Sequence, residues 1–314
     1  MTAELVLSEA NEEQRRATVA SIWPYWGEGL QREEFIESRL ASPRYARSQR
    51  YVGLADGELA VSLACYPMVF RLHGQPVAGV SIGAVYTVDR FRRRGYASQL
   101  MRFVDNENQR RGRQLSLLYS AIPAQFYERL GYITCDSLQG TQSVDDLDSN
   151  VDGIARLKLA AFAADDELSA LEEAYCQFQQ GLALSIDRDR EYWQYTLAQR
   201  PDDEFFWMLD DRNKRVGYVR VARVADTLRL VDFTIQNRDP DLERAMYWTL
   251  LTAAHKRGLT KIDSWLPHTP VAQRSFDSQT RSKALTMVKP LDESLDINDA
   301  VLRDSGWLVE VDHV

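Results

Sequence analysis

The sequence predicts an α/β protein built on mixed sheets, and three observations carry that expectation. Short runs rich in β-branched residues, such as QPVAGVSIGAVYTV (75–88), alternate with longer amphipathic runs, such as YASQLMRFVDNENQRRGR (96–113). Strands interleaved with helices can bury their apolar faces only by packing helices on a sheet. The 314 residues, 45% hydrophobic and 10% aromatic, suffice for two domains with substantial cores. The order of elements after residue 147 then repeats that of the first half, in element type rather than residue identity.

Apolar spacing predicts helices over 11–21 and 32–41, separated by the Pro- and Gly-marked turn WPYWGEG. Residues 51–70 read as a hairpin around an ADGE turn, and 75–88 as a further strand. A helix over 96–113 presents Leu100, Met101, Phe103 and Val104 on one face. A strand over 114–121, a short helix over 123–131 and a strand over 132–137 complete the first half. In the second half, 151–163 and 189–199 are expected to be helical, and 204–224 forms a hairpin with a charged turn. A strand over 227–235 leads to a helix over 240–258 that stops at Gly258. A strand over 261–267, a short helix over 270–279 and a strand over 284–291 follow. The last stretch, WLVEV, alternates like a strand. The acidic SVDDLDSNVDG marks the boundary, giving domains of residues 1–146 and 147–314.

The formal net charge of -8 argues against nucleic acid as a partner and suits a cationic small molecule. No apolar run approaches the ~20 residues of a membrane helix, and the N-terminus lacks the basic start and apolar stretch of a signal peptide. No membrane partner and a cytoplasmic location are therefore expected. Cys65, Cys135 and Cys176 form no CxxC pair, which suits a reducing compartment. Four histidines without an HExxH spacing give no reason to expect a metal, although His268 and His313 could meet in space.

The functional signal is RFRRRGYASQL (90–100), four arginines in five residues followed by glycine and a helix. The first N–H groups of a helix lack internal partners and carry partial positive charge, so they attract anions. Gly95 lets a backbone approach a phosphate closely, Ala97 and Ser98 keep the next turn slim, and the arginines add charge. A solvated charge run is the plain alternative; the order strand, loop, helix favours the phosphate cradle. No GxxxxGK[ST] and no GxGxxG after a strand are present, so nucleoside triphosphate and dinucleotide motifs fail. GVSIG (79–83) matches a nucleophile elbow, but Ser81 lies inside a continuous apolar strand rather than at a sharp turn.

VYTVDRFRRRGYASQLM resembles the acetyl-coenzyme A signature of the Gcn5-related N-acetyltransferases, Q/R-x-x-G-x-G/A, at Arg92, Gly95 and Ala97. A second signature of that family, FYxxxGF or FYxxxGY, is matched downstream by Phe126, Tyr127, Gly131 and Tyr132. The tandem layout is similar to the enhanced-intracellular-survival-type branch, although the chain is too short for that branch's sterol-carrier-like third domain. The resemblance implies two tandem acyl-CoA N-acyltransferase folds, the second degenerate, and acetyl-coenzyme A as co-substrate without a metal. It implies that Val85, Tyr86 and Thr87 hold the pantetheine arm. Arg92, Arg93, Arg94, Gly95, Tyr96, Ala97 and Ser98 would hold the pyrophosphate. It makes Tyr127 the acid that protonates the departing thiolate, a role a phenol can fill at neutral pH. The acceptor would be a small-molecule or peptide amine, expected to be cationic, and a homo-oligomer stays open. Glu310, Asp312, His313 and the chain end at Val314 are candidates for the amine's base. The corresponding second-half loop, IQNRDPDLERAM, has no glycine, and Asp239 and Asp241 would repel a pyrophosphate. A non-catalytic acyl-coenzyme A sensor or scaffold is the alternative, against which Tyr127 argues because a sensor has no thiolate to protonate.

Overall fold

The structure, a computed structural model, describes residues 4–27, 29–148 and 156–313. In chain order the first half runs β1 (Leu5–Glu9), α1 (Glu12–Trp26), α2 (Arg32–Ala41), α3 (Pro43–Arg47), β2 (Gln49–Ala55), β3 (Glu58–Leu72), β4 (Gln75–Thr87), α4 (Tyr96–Arg110), β5 (Leu115–Ser120), α5 (Gln125–Glu128), β6 (Ile133–Thr134) and β7 (Leu138–Ser143). The second half runs β8 (Lys158–Phe162), α6 (Leu168–Gln179), β9 (Leu184–Ile186), α7 (Arg190–Gln199), β10 (Glu204–Leu209), β11 (Arg215–Val224), β12 (Thr227–Phe233), α8 (Pro240–Lys256), β13 (Lys261–Leu266), α9 (Pro270–Ser275), β14 (Asp277–Thr280), β15 (Leu285–Pro290) and α10 (Asp299–Asp304).

These elements build two mixed sheets, as the α/β expectation requires. The first has the order β1-β2-β3-β4-β5-β15-β6, with β9 pairing β3; the second has the order β14-β7-β13-β12-β11-β10-β8. Each contains one parallel pair, β4 with β5 and β12 with β13, bridged by the long helices α4 and α8. Both helices turn an apolar stripe onto their sheet: Leu100, Met101 and Val104 from α4, and Met246, Leu250 and Leu251 from α8, are buried. At about 1.5–3 kcal/mol for each fully buried large apolar side chain, these stripes fix which face each helix turns to its sheet.

Sheet membership does not follow the sequence boundary. Strand β7 precedes residue 146 yet pairs with β13 and β14, and β15 follows it yet fills the gap between β5 and β6. A cut at 146/147 therefore leaves the second sheet holding β7 from the first half, and the first sheet holding β9 and β15 from the second.

Three expectations are corrected. Residues 158–162 are a strand where a helix over 151–163 was predicted, because KLAAF pairs with β10; residues 151–155 lie outside the described residues, as does part of the SVDDLDSNVDG boundary. The helix predicted over 270–279 ends at Ser275, and Asp277–Thr280 pairs with β7. WLVEV is no strand: it passes through 3-10 turns at Ser305–Trp307 and Glu310–Asp312, and its burial does not alternate. Six elements carried no readable signal: β1, α3, β7, α6, β9 and α10.

Candidate active site

The parallel pairing of β4 with β5 covers Gly79–Ile82 against Leu115–Leu118 and then stops. At that point β4 is bulged on its other side: Gly83 faces Ala64, but Tyr86 faces Ser62, so an extra residue is inserted and Ala84 takes a positive φ of 50°. A bulge bends and twists its strand, so residues 84–87 swing away from β5 and a notch opens between the two strands. Val85, Tyr86 and Thr87 line the β4 side of the notch.

The chain leaves Thr87 through a 3-10 turn at Asp89–Phe91, and Arg93 and Gly95 both have positive φ, 64° and 76°. Gly95 then opens α4, whose N-terminus carries no side-chain cap. The first amides of α4, including those of Tyr96, Ala97 and Ser98, have no intrahelical acceptor. A Cβ built on Gly95 meets no heavy atom within 4 Å. The result is an uncapped helix terminus with clear space before it, at the mouth of the notch. Tyr96 contributes only its backbone, since its ring is buried beside Phe91.

The arginines divide between two tasks. Arg90 pairs with Glu58, and Arg90 and Arg94 both lie over the Phe91 ring. Arg92 bends back onto the splayed strand: its Nε donates to the Thr87 carbonyl at 3.1 Å, and the guanidinium reaches the Tyr25 hydroxyl at 2.9 Å and Asp89 at 2.7 Å. Tyr25 also donates to Asp89, and its ring lies beside those of Trp26 and Tyr86. The aromatic end of α1 is thus fastened to the loop. Arg93 makes no ion pair among the described residues and projects freely.

Tyr127 stands on α5 in the same apolar cluster as Phe91, Tyr96 and Leu100. Its ring meets Phe126 at 4.9 Å and Tyr132 at 5.9 Å, both edge to face. Burial pushes its pKa up to about 12, so the phenol keeps its proton at neutral pH. Among the described residues nothing hydrogen-bonds its hydroxyl, which leaves the proton free for a ligand.

On the other face of β5, Tyr119 packs behind Trp265 and His313, and these last two rings line one end of a cavity of about 380 Å³. Its floor is the polar face of the second sheet, with Gln139 and Thr141 on β7, Arg229 on β12, Asp263 on β13 and Gln279 on β14. The base candidates lie here and differ sharply. Asp312 is fully enclosed: it accepts from Arg188 through both oxygens, from the Tyr192 hydroxyl at 2.8 Å and from the Val309 amide at 3.1 Å. No lone pair of it is left for an amine. Glu310 lines the cavity but pairs with Arg200 at 3.0 Å and Arg229 at 3.8 Å. His313 has an exposed edge, while burial of its ring and the nearby Arg44 and Arg281 push its pKa down to about 4. It is therefore neutral above that pH. Val314 lies outside the described residues. His268 pairs with Asp136 at 2.7 Å, whereas His313 packs against Tyr119 and Trp265. Ser81 is buried mid-strand without a hydrogen-bond partner, which is no nucleophile's setting.

Residues 13–135 match a family model described as acetyltransferase (GNAT) domain. The splayed strands, the uncapped α4 and Tyr127 all fall inside that span. Residues 13–135 are a Gcn5-related N-acetyltransferase domain. No curated protein matches the sequence significantly. Solved structures similar to the chain include a conserved protein of unknown function from Enterococcus faecalis V583, described as a probable N-acyltransferase (16% identity, TM-score 0.73, 92% of this chain and 73% of that one). A GCN5-related N-acetyltransferase from Anabaena variabilis ATCC 29413 superposes with 20% identity and a TM-score of 0.71, over 92% and 73% of the chains. Eis1 from Mycobacterium abscessus does so with 16% identity and a TM-score of 0.61, over 92% and 74%. At such identities the likeness is one of fold, and it extends over both sheets.

The second acetyltransferase-like fold repeats the backbone path without the vacancy. Asn237 and Arg238 have positive φ, 55° and 50°, much as Arg93 and Gly95 do. Here, however, the Asp239 side chain caps α8, accepting from the amides of Asp241 at 2.8 Å and Leu242 at 3.4 Å. Arg238 turns inward to the carbonyls of Phe178 and Gln180. The anion position is filled by the protein's own carboxylate. Sequence reasoning found the charge of Asp239 but not its capping role. It missed Tyr25, Asp89, Tyr119, Trp265 and Arg281, which belong to separate elements and meet only in space.

Proposed function

We propose that the protein transfers an acetyl group from acetyl-coenzyme A to an amine of a small molecule or peptide. The observation that carries this reading is the open N-terminus of α4 beneath Gly95, at the mouth of the β4–β5 notch, set against the self-capped α8. The pyrophosphate would rest on the amides of residues 95–98 with Arg93 beside it, and the pantetheine arm would lie along residues 85–87. The amine nitrogen attacks the thioester carbonyl carbon, a C–N bond forms and the C–S bond breaks. The thiolate takes the Tyr127 proton, and the amine's proton passes to a base on the cavity wall. Glu310 and His313 stand there, whereas the saturated Asp312 is out of contention. The N-terminal fold supplies the coenzyme and Tyr127, and the C-terminal fold walls the acceptor side.

The test is a panel of amines with acetyl-coenzyme A and detection of released thiol, alongside calorimetric titration of the coenzyme. Coenzyme binding with amine-dependent thiol release is expected. Binding without release by any amine would instead favour the sensor reading.

A further inference from the structure

Of the four buried arginines among the described residues, two are matched by carboxylates. Arg188 meets Asp232 and Asp312, and Arg220 meets Asp203. Arg50 lacks one, but it lies under α1 and α3, packed on Tyr45 and donating to Thr18. Arg281 is different in kind. It is 2% exposed, one nitrogen donates to the Thr286 hydroxyl at 2.8 Å, and its Nε and Nη1 have no hydrogen-bond partner among the described residues. It makes no ion pair among the described residues. Burial lowers its pKa only to about 10, so it is still a cation at neutral pH. An uncompensated buried charge is costly.

Its position gives that cost a use. The guanidinium stacks on the Trp265 ring at 3.7 Å, and Trp265 lines the 380 Å³ cavity together with Lys283 and Ala284, from the same connection as Arg281. Tyr119, on the strand that borders the coenzyme notch, packs on Trp265 and carries a buried hydroxyl that also lacks a partner. The cavity's inner carboxylates are already answered, Asp263 by Arg229, and Glu310 by Arg200 and Arg229. Among the described residues, the charges that no ion pair answers at this end are the cations of Arg281, behind Trp265, and Lys283, on the lining, and the carboxylate of Asp277 across from them. A 150 Å³ cavity holds benzene, so about 380 Å³ admits roughly 15 heavy atoms, the size of a small dipeptide.

We propose that the cavity binds an acceptor that carries a free carboxyl group, held at the Tyr119–Trp265 end by Arg281 and the Tyr119 hydroxyl, with its amine directed to the β5 edge of the notch. The acceptor class is then an amino acid or short peptide rather than the purely cationic amine that overall charge suggests. Entry of the carboxylate shifts the Trp265 ring and replaces a cation–π contact with a charge-assisted pair, the stronger interaction. This assignment rests on the acetyl-transfer reading for the amine's role, but not for the binding of the acid.

The experiment titrates alanylalanine and alanylalanine amide into the protein loaded with coenzyme A, which cannot turn over. The acid is expected to bind at least about tenfold more tightly than the amide, the scale of hydrogen bonds to a charged group. Arg281→Met should reduce that ratio to near one while coenzyme A affinity stays unchanged, and Arg281→Lys should keep part of it. Arg281→Met gives up the Thr286 hydrogen bond and the Trp265 stacking, so its melting curve serves only to show that the variant is folded. Equal binding of acid and amide by the wild type, no binding of either, or an acid preference that survives in folded Arg281→Met would overturn the proposal. If Arg281→Met fails to fold, the wild-type comparison and Arg281→Lys still decide. Acid binding without thiol release from any amine would leave the carboxylate site standing and remove the transfer reading.

Discussion

Gly95→Glu is the sharpest perturbation of the coenzyme site, and Gly95→Ala is its control. Gly95 holds φ at 76°, where a Cβ costs about 1–2 kcal/mol, and both substitutions carry that cost alike. No atom lies within 4 Å of the added Cβ, so neither collides with the fold, and both should melt a few degrees below wild type. Only the glutamate sends a carboxylate into the space before the α4 amides. At about 5 Å and an effective dielectric of ~20, each like-charge pair with a phosphate is worth about 3 kcal/mol. That amounts to a loss of a few hundredfold in affinity per phosphate charge, before any steric block. Calorimetric titration with acetyl-coenzyme A should therefore show no measurable binding to Gly95→Glu and a smaller weakening for Gly95→Ala. Wild-type affinity in a folded Gly95→Glu would refute the placement of the pyrophosphate.

Tyr127→Phe keeps the ring contacts with Phe126 and Tyr132, so coenzyme affinity should hold while turnover falls by a sizeable part of ~10²–10⁴, read from thiol release. Asp239→Ala removes the cap of α8 and should cost about 0.5–2 kcal/mol in denaturant unfolding, with coenzyme stoichiometry still one per chain by calorimetry. His313 has a folded pKa of about 4, below its ordinary 6.5, so the unfolded chain binds more protons between those values. Stability should accordingly fall as pH drops from 6.5 towards 4, and a pH series of melting curves should be flatter over that window in His313→Gln.

The parts legible in the sequence were those set by local pattern. The α4 stripe, the hairpins and the arginine-glycine loop each lie within a single continuous stretch, and each has its own periodicity or turn chemistry. The coenzyme face of the site belongs to this class, since Val85 through Ser98 is one run of chain. What stayed hidden depends on pairing at long range. LQGTQS in β7 is polar and short, and it becomes a strand only because β13 and β14 flank it. KLAAF would suit a helix and is drawn into a strand by β10. The proposed acceptor side draws on Tyr119, Trp265, Arg281 and His313, and no spacing rule joins such distant positions.

The exchange of strands between the sheets bears on how the chain is made. Until β15 arrives, β5 ends the first sheet with an open edge of unpaired backbone groups, and β6 has no neighbour. Translation proceeds at about 5–20 residues per second, so the interval between Ser120 and Leu285 lasts on the order of ten seconds or more. During that time a nascent chain offers a hydrophobic edge, LSLLYS, to any other strand nearby. A fragment ending near residue 146 would keep that edge for good and should aggregate, although it contains every residue assigned to the coenzyme. The acetyltransferase domain is local in sequence, but its folding has to wait for the far end of the chain.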